Sequence, residues 1–527
     1  MKLHIKNNMI SKPLNRHWQY CIGSCHASLA LRADYLKQLK QVHEELGIEH
    51  VRFHGIFNDD MQVFMKFSDL MPLPGAEKLE QVSFRKIGMI YDNILACGMK
   101  PYVELSFMPK HLASSEAKCG FYYGGWISPP RDDAEWTEFI KKFIRYLLER
   151  YGAEEVESWP FEVWNEPDVF VFWAGTKEQY FHLYEVTAKA VKDVDDKIRV
   201  GGPATSGSKW IGSFLSYCKE HDVPVDFIST HQYAGDPIGG VEASESLEEE
   251  KNEQAENMNP ELMSHIFEGI ENGTVLDGLR RIMPDKSEME EIPSDGFKKN
   301  AAIVRKQAGN LPVYYSEWNE NAIFSSYTND TRKVAAYLVR AALETEDAIN
   351  SSSVWCFSDI FEEFSEFPQE FHGGFGLLTH SGIPKPQYYA MKMMAELEED
   401  RIDLGEGATE GEIGAAAFAG NGKLQILLFR QKMKNLDLPK EQIEICVELD
   451  GKPKQVHLER IDEDHGNPLK KWEEMGKPEE LKPEEREELI RQTKIEKEEV
   501  AGHWENTCLT LDAELGVNDI YLYTIEM

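Results

Sequence analysis

The chain has 527 residues, 42% of them hydrophobic and 11% aromatic, so it is too long for one ordinary core and too apolar for a disordered chain. Its formal charge of -35 excludes an electrostatic grip on nucleic acid or on an anionic membrane, because phosphate binding needs clustered Lys and Arg. No apolar run of about 18 residues occurs, and the opening stretch MKLHIKNNMISKPLNRHW lacks the apolar segment of a secretion signal, so a cytoplasmic location without membrane contact is expected.

From about residue 19 to 395, short apolar runs alternate with amphipathic stretches, the pattern of repeated strand-helix units. Eight strands are expected, in chain order YCIGS, HVRFHG, PYVELS, FEVWN, RVGGPA, DFISTHQY, VYYSEW and SVWCFS. Between the third and fourth, WTEFIKKFIRYLLERYG places Phe139, Phe143, Ile144 and Leu147 on one helical face, and Gly152 stands where a helix stops. Eight such units imply an α/β fold, a (β/α)8 TIM barrel, over residues 14–398. A doubly wound open sheet is the rival, but no GxGxxG turn follows the first strand. Between strands six and seven, residues 236–299 form an insertion too long for an ordinary loop, with five glutamates in VEASESLEEE and a helical pattern in PELMSHIFEGI.

After residue 398 the texture changes to AAAFAG, LQILLF, QIEICVEL, QVHLERI, CLTLDAEL and DIYLYTIEM. This predicts an antiparallel β-sandwich accessory domain over 399–527, with residues 1–13 a candidate further part of it. A charged segment at 466–500, with Pro483 placed to start a helix, predicts a short helical insert packed on the sandwich. Eight cysteines, at 21, 25, 97, 119, 218, 356, 446 and 508, have neither zinc-ribbon spacing nor scaffold density and are read as reduced thiols; Cys21 and Cys25 are the pair close in sequence.

Polar residues cluster at the carboxyl ends of the expected strands, where a barrel carries its active site: His54, Glu104, Asn165, Glu166, His231, Tyr233, Glu317 and Asp359. Two glutamates stand out, Glu166 in FEVWNEPD and Glu317 in YYSEWN. Cleaving a glycosidic bond needs a proton for the leaving oxygen and a carboxylate facing the oxocarbenium-like centre, so two acids are the minimum set. Asn165 can hydrogen-bond a sugar hydroxyl, the proline after Glu166 stiffens the turn, and Trp318 beside Glu317 can serve as a sugar platform. No HxH or HExxH spacing appears, so neither metal nor cofactor is expected.

These motifs resemble glycoside hydrolase family 39, and within it the bacterial β-xylosidases. The likeness runs through VRFHGIFNDDM at 51–61, WISPPRD at 126–132, FEVWNEPD at 161–168, STHQY at 229–233, YSEWN at 315–319, FSDIFEE at 357–363, FHGGFGLL at 371–378, IPKPQYYA at 383–390 and RIDEDHGNPLKKWEEMGKP from Arg460. The resemblance implies Glu166 as acid/base and Glu317 as nucleophile of a retaining mechanism, with Asn165 on the 2-hydroxyl and His54, His231 and Tyr233 around the sugar. It implies Glu362 and Glu363 on outer hydroxyls, while Trp126, Phe121 and Phe172 are candidate aromatic walls. The activity implied is exo-acting β-D-xylosidase on xylo-oligosaccharides, and the assembly implied is a homo-oligomer. At a carboxylate gap of about 5 to 5.5 Å, an ionised Glu317 is expected to raise the pKa of Glu166 by roughly half a unit in water-like surroundings and about two units at an effective dielectric near 20. Another sugar (glucoside, arabinoside or uronoside) and a non-catalytic carbohydrate-binding barrel are the alternatives. The 236–299 insertion departs from the family's pattern by its length.

Overall fold

The computed structural model describes residues 2–6, 9, 11–239, 273–282, 292–364, 366–434 and 438–527. Eight parallel strands close into a barrel in chain order: β1 (Cys21–His26), β2 (His50–His54), β3 (Lys100–Leu105), β4 (Pro160–Val163), β5 (Arg199–Thr205), β6 (Phe227–Tyr233), β7 (Val313–Asn319) and β8 (Ser351–Val354). Around them run α1 (Ala33–Leu46), α2 (Arg85–Ala96), α3 (Asp133–Tyr151), α4 (Lys177–Val194), α5 (Ile211–Glu220), α6 (Gly296–Ala308), α7 (Arg332–Glu344) and α8 (Pro386–Ala395), giving the TIM barrel expected from the alternating pattern.

The local chemistry accounts for these elements. In α3, Trp136, Phe139, Phe143, Ile144 and Leu147 are buried on one face, the Asp132 side chain caps the first turn by accepting from Glu135 N, and Gly152 at φ 82° ends the helix. In β2, Val51 and Phe53 point outward into the helix-facing core, whereas Arg52 points inward to meet groups from other strands. The amino-terminal end of the barrel is closed by an aromatic plug of Tyr102, Phe227 and Tyr314 with Cys21, the Phe227 and Tyr314 rings stacking at 4.6 Å. The eighth strand is shorter than SVWCFS suggests: it ends at Val354, and Trp355 leaves the ladder to pack its ring 4.8 Å from that of His54.

Two further sheets face each other as a sandwich. One joins Lys2–Ile5, Glu441–Glu448, Cys508–Leu515 and His503–Glu505; the other includes Gln455–Ile461, Ile520–Glu526, Lys423–Arg430, Ile413–Gly420, Asp400–Ile402 and Ser11–Pro13. Their shared core holds Leu3, Ile426, Ile445, Val447, Leu511 and Ile525. The amino-terminal strand is parallel to Glu441–Glu448, Lys2 opposite Glu444.

Three expectations are corrected or fall outside the description. Helices Pro468–Glu474 and Pro483–Thr493 pack their Trp472 and Leu489 against Phe371 and Ile383 of the segment after β8, so the insert buries its apolar face on the barrel rather than on the sandwich. Cys446 and Cys508 form a disulfide, against the reading of eight reduced thiols; they lie 62 residues apart in sequence, and only the pairing of their strands brings their Cα atoms to 6.1 Å. Cys21, Cys25 and the other four cysteines are free. VEASESLEEE and PELMSHIFEGI lie outside the described residues, but one helix of the insertion, Val275–Ile282, docks through Arg280, which donates to Ser325 O at 2.9 Å and stacks 3.7 Å from the Tyr327 ring.

Candidate active site

The backbone turns sharply as β4 ends. Trp164 and Glu166 adopt φ of 76° and 42°, a region that residues with a side chain rarely occupy. The turn is held from both sides: Glu166 N donates to Ala204 O at 2.9 Å, and the buried Trp164 indole donates to Phe172 O at 2.8 Å. The tryptophan therefore fastens the turn, and the glutamate leaves the strand to face the barrel axis. Glu317 arrives from β7. One carboxylate oxygen of each glutamate and a ring nitrogen of His231 all lie within 4.8 Å of one another.

Beneath them lies Arg52, fully buried on β2. Its guanidinium donates to Glu162 Oε2 at 2.6 Å and Asn165 Oδ1 at 3.0 Å, meets Glu104 Oε2 at 2.8 Å, and reaches Glu317 Oε2 at 3.4 Å. A single cation thus positions residues from β3, β4 and β7, and burial makes each bond strongly directional. Glu162 is further tied by the Ser316 hydroxyl at 2.6 Å. His54 Nδ1 lies 2.8 Å from Glu104 Oε2, so the ring donates to this carboxylate through Nδ1. Tyr233 donates to Glu317 Oε1 at 2.6 Å, and His231 Nδ1 lies 2.9 Å from Glu166 Oε1 and 3.8 Å from Glu317 Oε2.

This environment separates the acids. Glu166 is pushed up to about 8, first by burial and then by the charges of Asp168 and Asp236, against the opposing pull of His54 and Arg52. The direction matches expectation, but the cause does not: the principal anions are Asp168 and Asp236, where the sequence pointed to Glu317. Burial also works to raise Glu104, yet His54, Arg52 and the Ser106 hydroxyl outweigh it and hold this carboxyl below its ordinary value. Glu363 rises well above the carboxylate range, through burial and then the neighbouring Glu317 and Glu166. His231 is lowered by burial, against the opposing pull of Glu317.

The expected binding residues divide into three groups. Phe172 lies 6.0 Å from the His54 ring and 5.4 Å from Phe121, so both phenylalanines join the cluster beside the acids. Glu362 sits farther out, half-buried, with Arg32 at 3.4 Å and His26 at 3.8 Å. Trp126 is tied to Asp59 Oδ2 at 2.7 Å, and its ring packs 4.4 Å from Lys118. Trp318 corrects the expectation of a sugar platform: it is fully buried and stacks 4.9 Å from Phe297 of α6, because strand alternation that turns Glu317 inward turns its neighbour into the helix layer. Asp359 is likewise structural, clamped at 2.6 Å to the buried Lys385, which also meets Asp330 at 2.6 Å.

Arg52, Glu162, Asp168, Asp236 and Trp355 were not singled out from the sequence. A signal existed for the first two: each is a charge inside an otherwise apolar strand, two or three positions before a pocket residue. Among the described residues, Glu166, His231 and Glu317 are the group whose donor atoms could close on a cation.

Comparison with known proteins places this site in a family. The model for "Glycosyl hydrolases family 39" matches residues 1–277 and 265–509. A β-xylosidase of Caldicellulosiruptor saccharolyticus is 37% identical over 529 residues, covering 100% of this chain and 98% of that protein. A β-xylosidase of Geobacillus stearothermophilus is 32% identical, covering 88% of this chain and 83% of its own. The crystal structure of a monomeric β-xylosidase from Caulobacter crescentus CB15 superposes with a TM-score of 0.77 at 26% identity, covering 100% of this chain and 99% of that one. The match spans the barrel, the sandwich and both glutamate motifs, and the chain belongs to glycosyl hydrolases family 39, a family of glycoside-cleaving enzymes.

Proposed function

We propose that the protein is a retaining, exo-acting β-D-xylosidase that releases xylose from xylo-oligosaccharides, with Glu317 as nucleophile and Glu166 as acid/base. The observation that carries the mechanism is the approach of the two carboxylates to within 4.8 Å. That matches the gap of about 5 to 5.5 Å in retaining enzymes, whereas inverting ones leave roughly 6.5 to 9.5 Å for a water. The choice of sugar is supported by the relatives named β-xylosidase at 37% and 32% identity. Exo action is supported by the depth of the acids, since Glu166 and Glu317 are only 8% and 6% exposed.

In the first step Glu317 attacks the anomeric carbon as the glycosidic C–O bond breaks, and the leaving oxygen takes the proton of Glu166. In the second, Glu166, now a carboxylate, takes a proton from water as its oxygen attacks the same carbon, and the ester to Glu317 is released. Tyr233 and Arg52 hold Glu317 for in-line attack. Because Arg52 occupies Asn165 Oδ1, the amide NH2 is left to donate toward the 2-hydroxyl. Glu363, raised first by burial and then by Glu317 and Glu166, stands beside the acids to meet an outer sugar hydroxyl. No step calls for a metal.

The test is a panel of aryl glycosides: β-xyloside, β-glucoside, β-galactoside, α-arabinoside and β-glucuronide. A dominant β-xyloside rate supports the reading; dominance of another sugar keeps the mechanism and replaces the substrate. The uronoside reading is second, favoured by one observation, the exposed Lys118 at 4.4 Å from the Trp126 ring, where a sugar carboxylate would find a cation.

Self-association and a cytoplasmic location complete the proposal. Phe67, Leu70, Met71, Leu73 and Leu79 expose 41 to 65% of their surface within one short excursion after β2, an apolar patch suited to a second copy. Light scattering on the purified protein decides between oligomer and monomer. Six free cysteines favour a reducing compartment, whereas the Cys446–Cys508 bridge counts the other way; fractionation of the source cells decides.

A further inference from the structure

Three consecutive βα loops, after β4, β5 and β6, each carry one charged residue, and the end of β5 is bonded to the Glu166 turn, Glu166 N donating to Ala204 O at 2.9 Å. Asp168, two residues past it, accepts from Ser206 N at 2.9 Å and meets Lys209 at 3.3 Å. Asp236, just past β6, accepts from Tyr233 N at 2.6 Å. A methyl group built on Gly207 would lie 3.7 Å from Asp236 Cβ and 3.9 Å from Lys209 Cε, so the two side chains converge over this glycine. The arrangement sets one ammonium between two carboxyls; Asp168 is almost wholly buried, and burial raises both, Asp236 to about 6.

We propose that Asp168, Lys209 and Asp236 form a positioning triad that keeps Glu166 in its acid form before each turnover, the two carboxylates opposing its ionisation and Lys209 limiting their effect. The inference rests on the reading of Glu166 as acid/base. No member touches the sugar in that reading; each acts through Glu166. The other charged or titratable groups facing Glu166 are His54 and Arg52 from β2, His231 and Tyr233 from β6, Glu317 from β7 and Glu363 from the segment after β8. Arg52 is shared among Glu104, Glu162 and Glu317, burial lowers His231, and the pull of His54 and Arg52 on Glu166 is outweighed. The direction found for Glu166 agrees: burial raises it first, and Asp168 and Asp236 add to the rise. The loops tie the device to substrate as well: Asp236 holds the backbone of Tyr233, whose hydroxyl holds Glu317.

The experiment is the pH dependence of kcat/KM on an alkyl β-xyloside, whose leaving group needs a proton, for wild type, Asp236→Asn, Asp236→Glu and Lys209→Gln. Thermal melting of each variant confirms the fold, and Asp168→Asn replaces Asp236→Asn should the latter not fold. The alkaline limb reports loss of the acid form of Glu166. It is expected about one pH unit lower in Asp236→Asn and higher in Lys209→Gln, with Asp236→Glu returning to wild type. Limbs that coincide with wild type in both charge-changing variants overturn the triad, because a purely structural role would change rate without moving the limb in opposite senses. A Glu166→Ala control distinguishes the deeper failure: an alkaline limb that survives there shows that Glu166 is not the acid.

Discussion

The two ends of the barrel interior are made by the same eight strands and could hardly differ more. At the carboxyl end Arg52, Glu104, Glu162, Glu166 and Glu317 crowd together with three of them wholly buried; at the amino end Tyr102, Phe227 and Tyr314 close on each other as an aromatic plug, the Tyr314 hydroxyl accepting from Arg199 at 3.0 Å. Burying charge costs far more than burying rings, and it is tolerated only where every charge has partners. The upper end therefore sacrifices stability for position, and the lower end supplies stability without chemistry. Substitutions at the two ends should accordingly separate into those that change rate and those that change melting.

The sharpest break is expected at Glu317. Glu317→Ala removes the proposed nucleophile and should lower kcat at least about 10³-fold, with the unfolding midpoint little changed; stopped rate assays beside denaturant melts read both. Arg52→Met crosses the boundary, since it leaves Glu104 and Glu162 buried without their cation: stability should fall by roughly 3 to 5 kcal/mol and activity with it. Phe227→Ala at the plug is expected to cost roughly 3 to 5 kcal/mol of stability while KM and kcat hold. Equal losses of rate from Phe227→Ala would dissolve the contrast.

A smaller effect concerns pH. His50, at the plug, is lowered by burial to about 4 from 6.5. Above pH 6.5 it is neutral folded or unfolded; between pH 6.5 and 4 the unfolded chain takes a proton the folded one refuses, so stability falls as pH is lowered through that window. Melting temperatures across it should fall less steeply in His50→Gln. Smallest of all, a chelator should leave the β-xyloside rate unchanged; a loss restored by added divalent metal would make Glu166, His231 and Glu317 a cation site.

Much of this contrast is legible in the sequence, because two-residue alternation and turn chemistry are local. The eight strands and the two glutamates appear from short windows, and the aromatic-polar motifs around them resemble one family closely enough to name roles. What is not legible depends on which strands become neighbours. Arg52 looks like a stray charge until β3, β4 and β7 bring Glu104, Glu162 and Glu317 to it. Asp168 and Asp236 look like loop acids until Lys209 gathers them. Trp318 misleads for the opposite reason: adjacency to a catalytic candidate in sequence means opposite faces in a strand. The Cys446–Cys508 bridge is invisible at a separation of 62 residues and plain once its two strands pair.

The parallel pairing of Lys2–Ile5 with Glu441–Glu448 also orders events in time. A ribosome adding about 5 to 20 residues per second needs roughly 20 to 90 seconds to travel from one strand to the other. Throughout that interval the barrel can complete itself while Lys2–Ile5 waits with its edge unsatisfied. Lys2 and Lys6 keep that waiting segment charged, a safeguard against pairing with the wrong neighbour on a crowded polysome. That sheet of the sandwich can therefore close only after every strand of the barrel has been made.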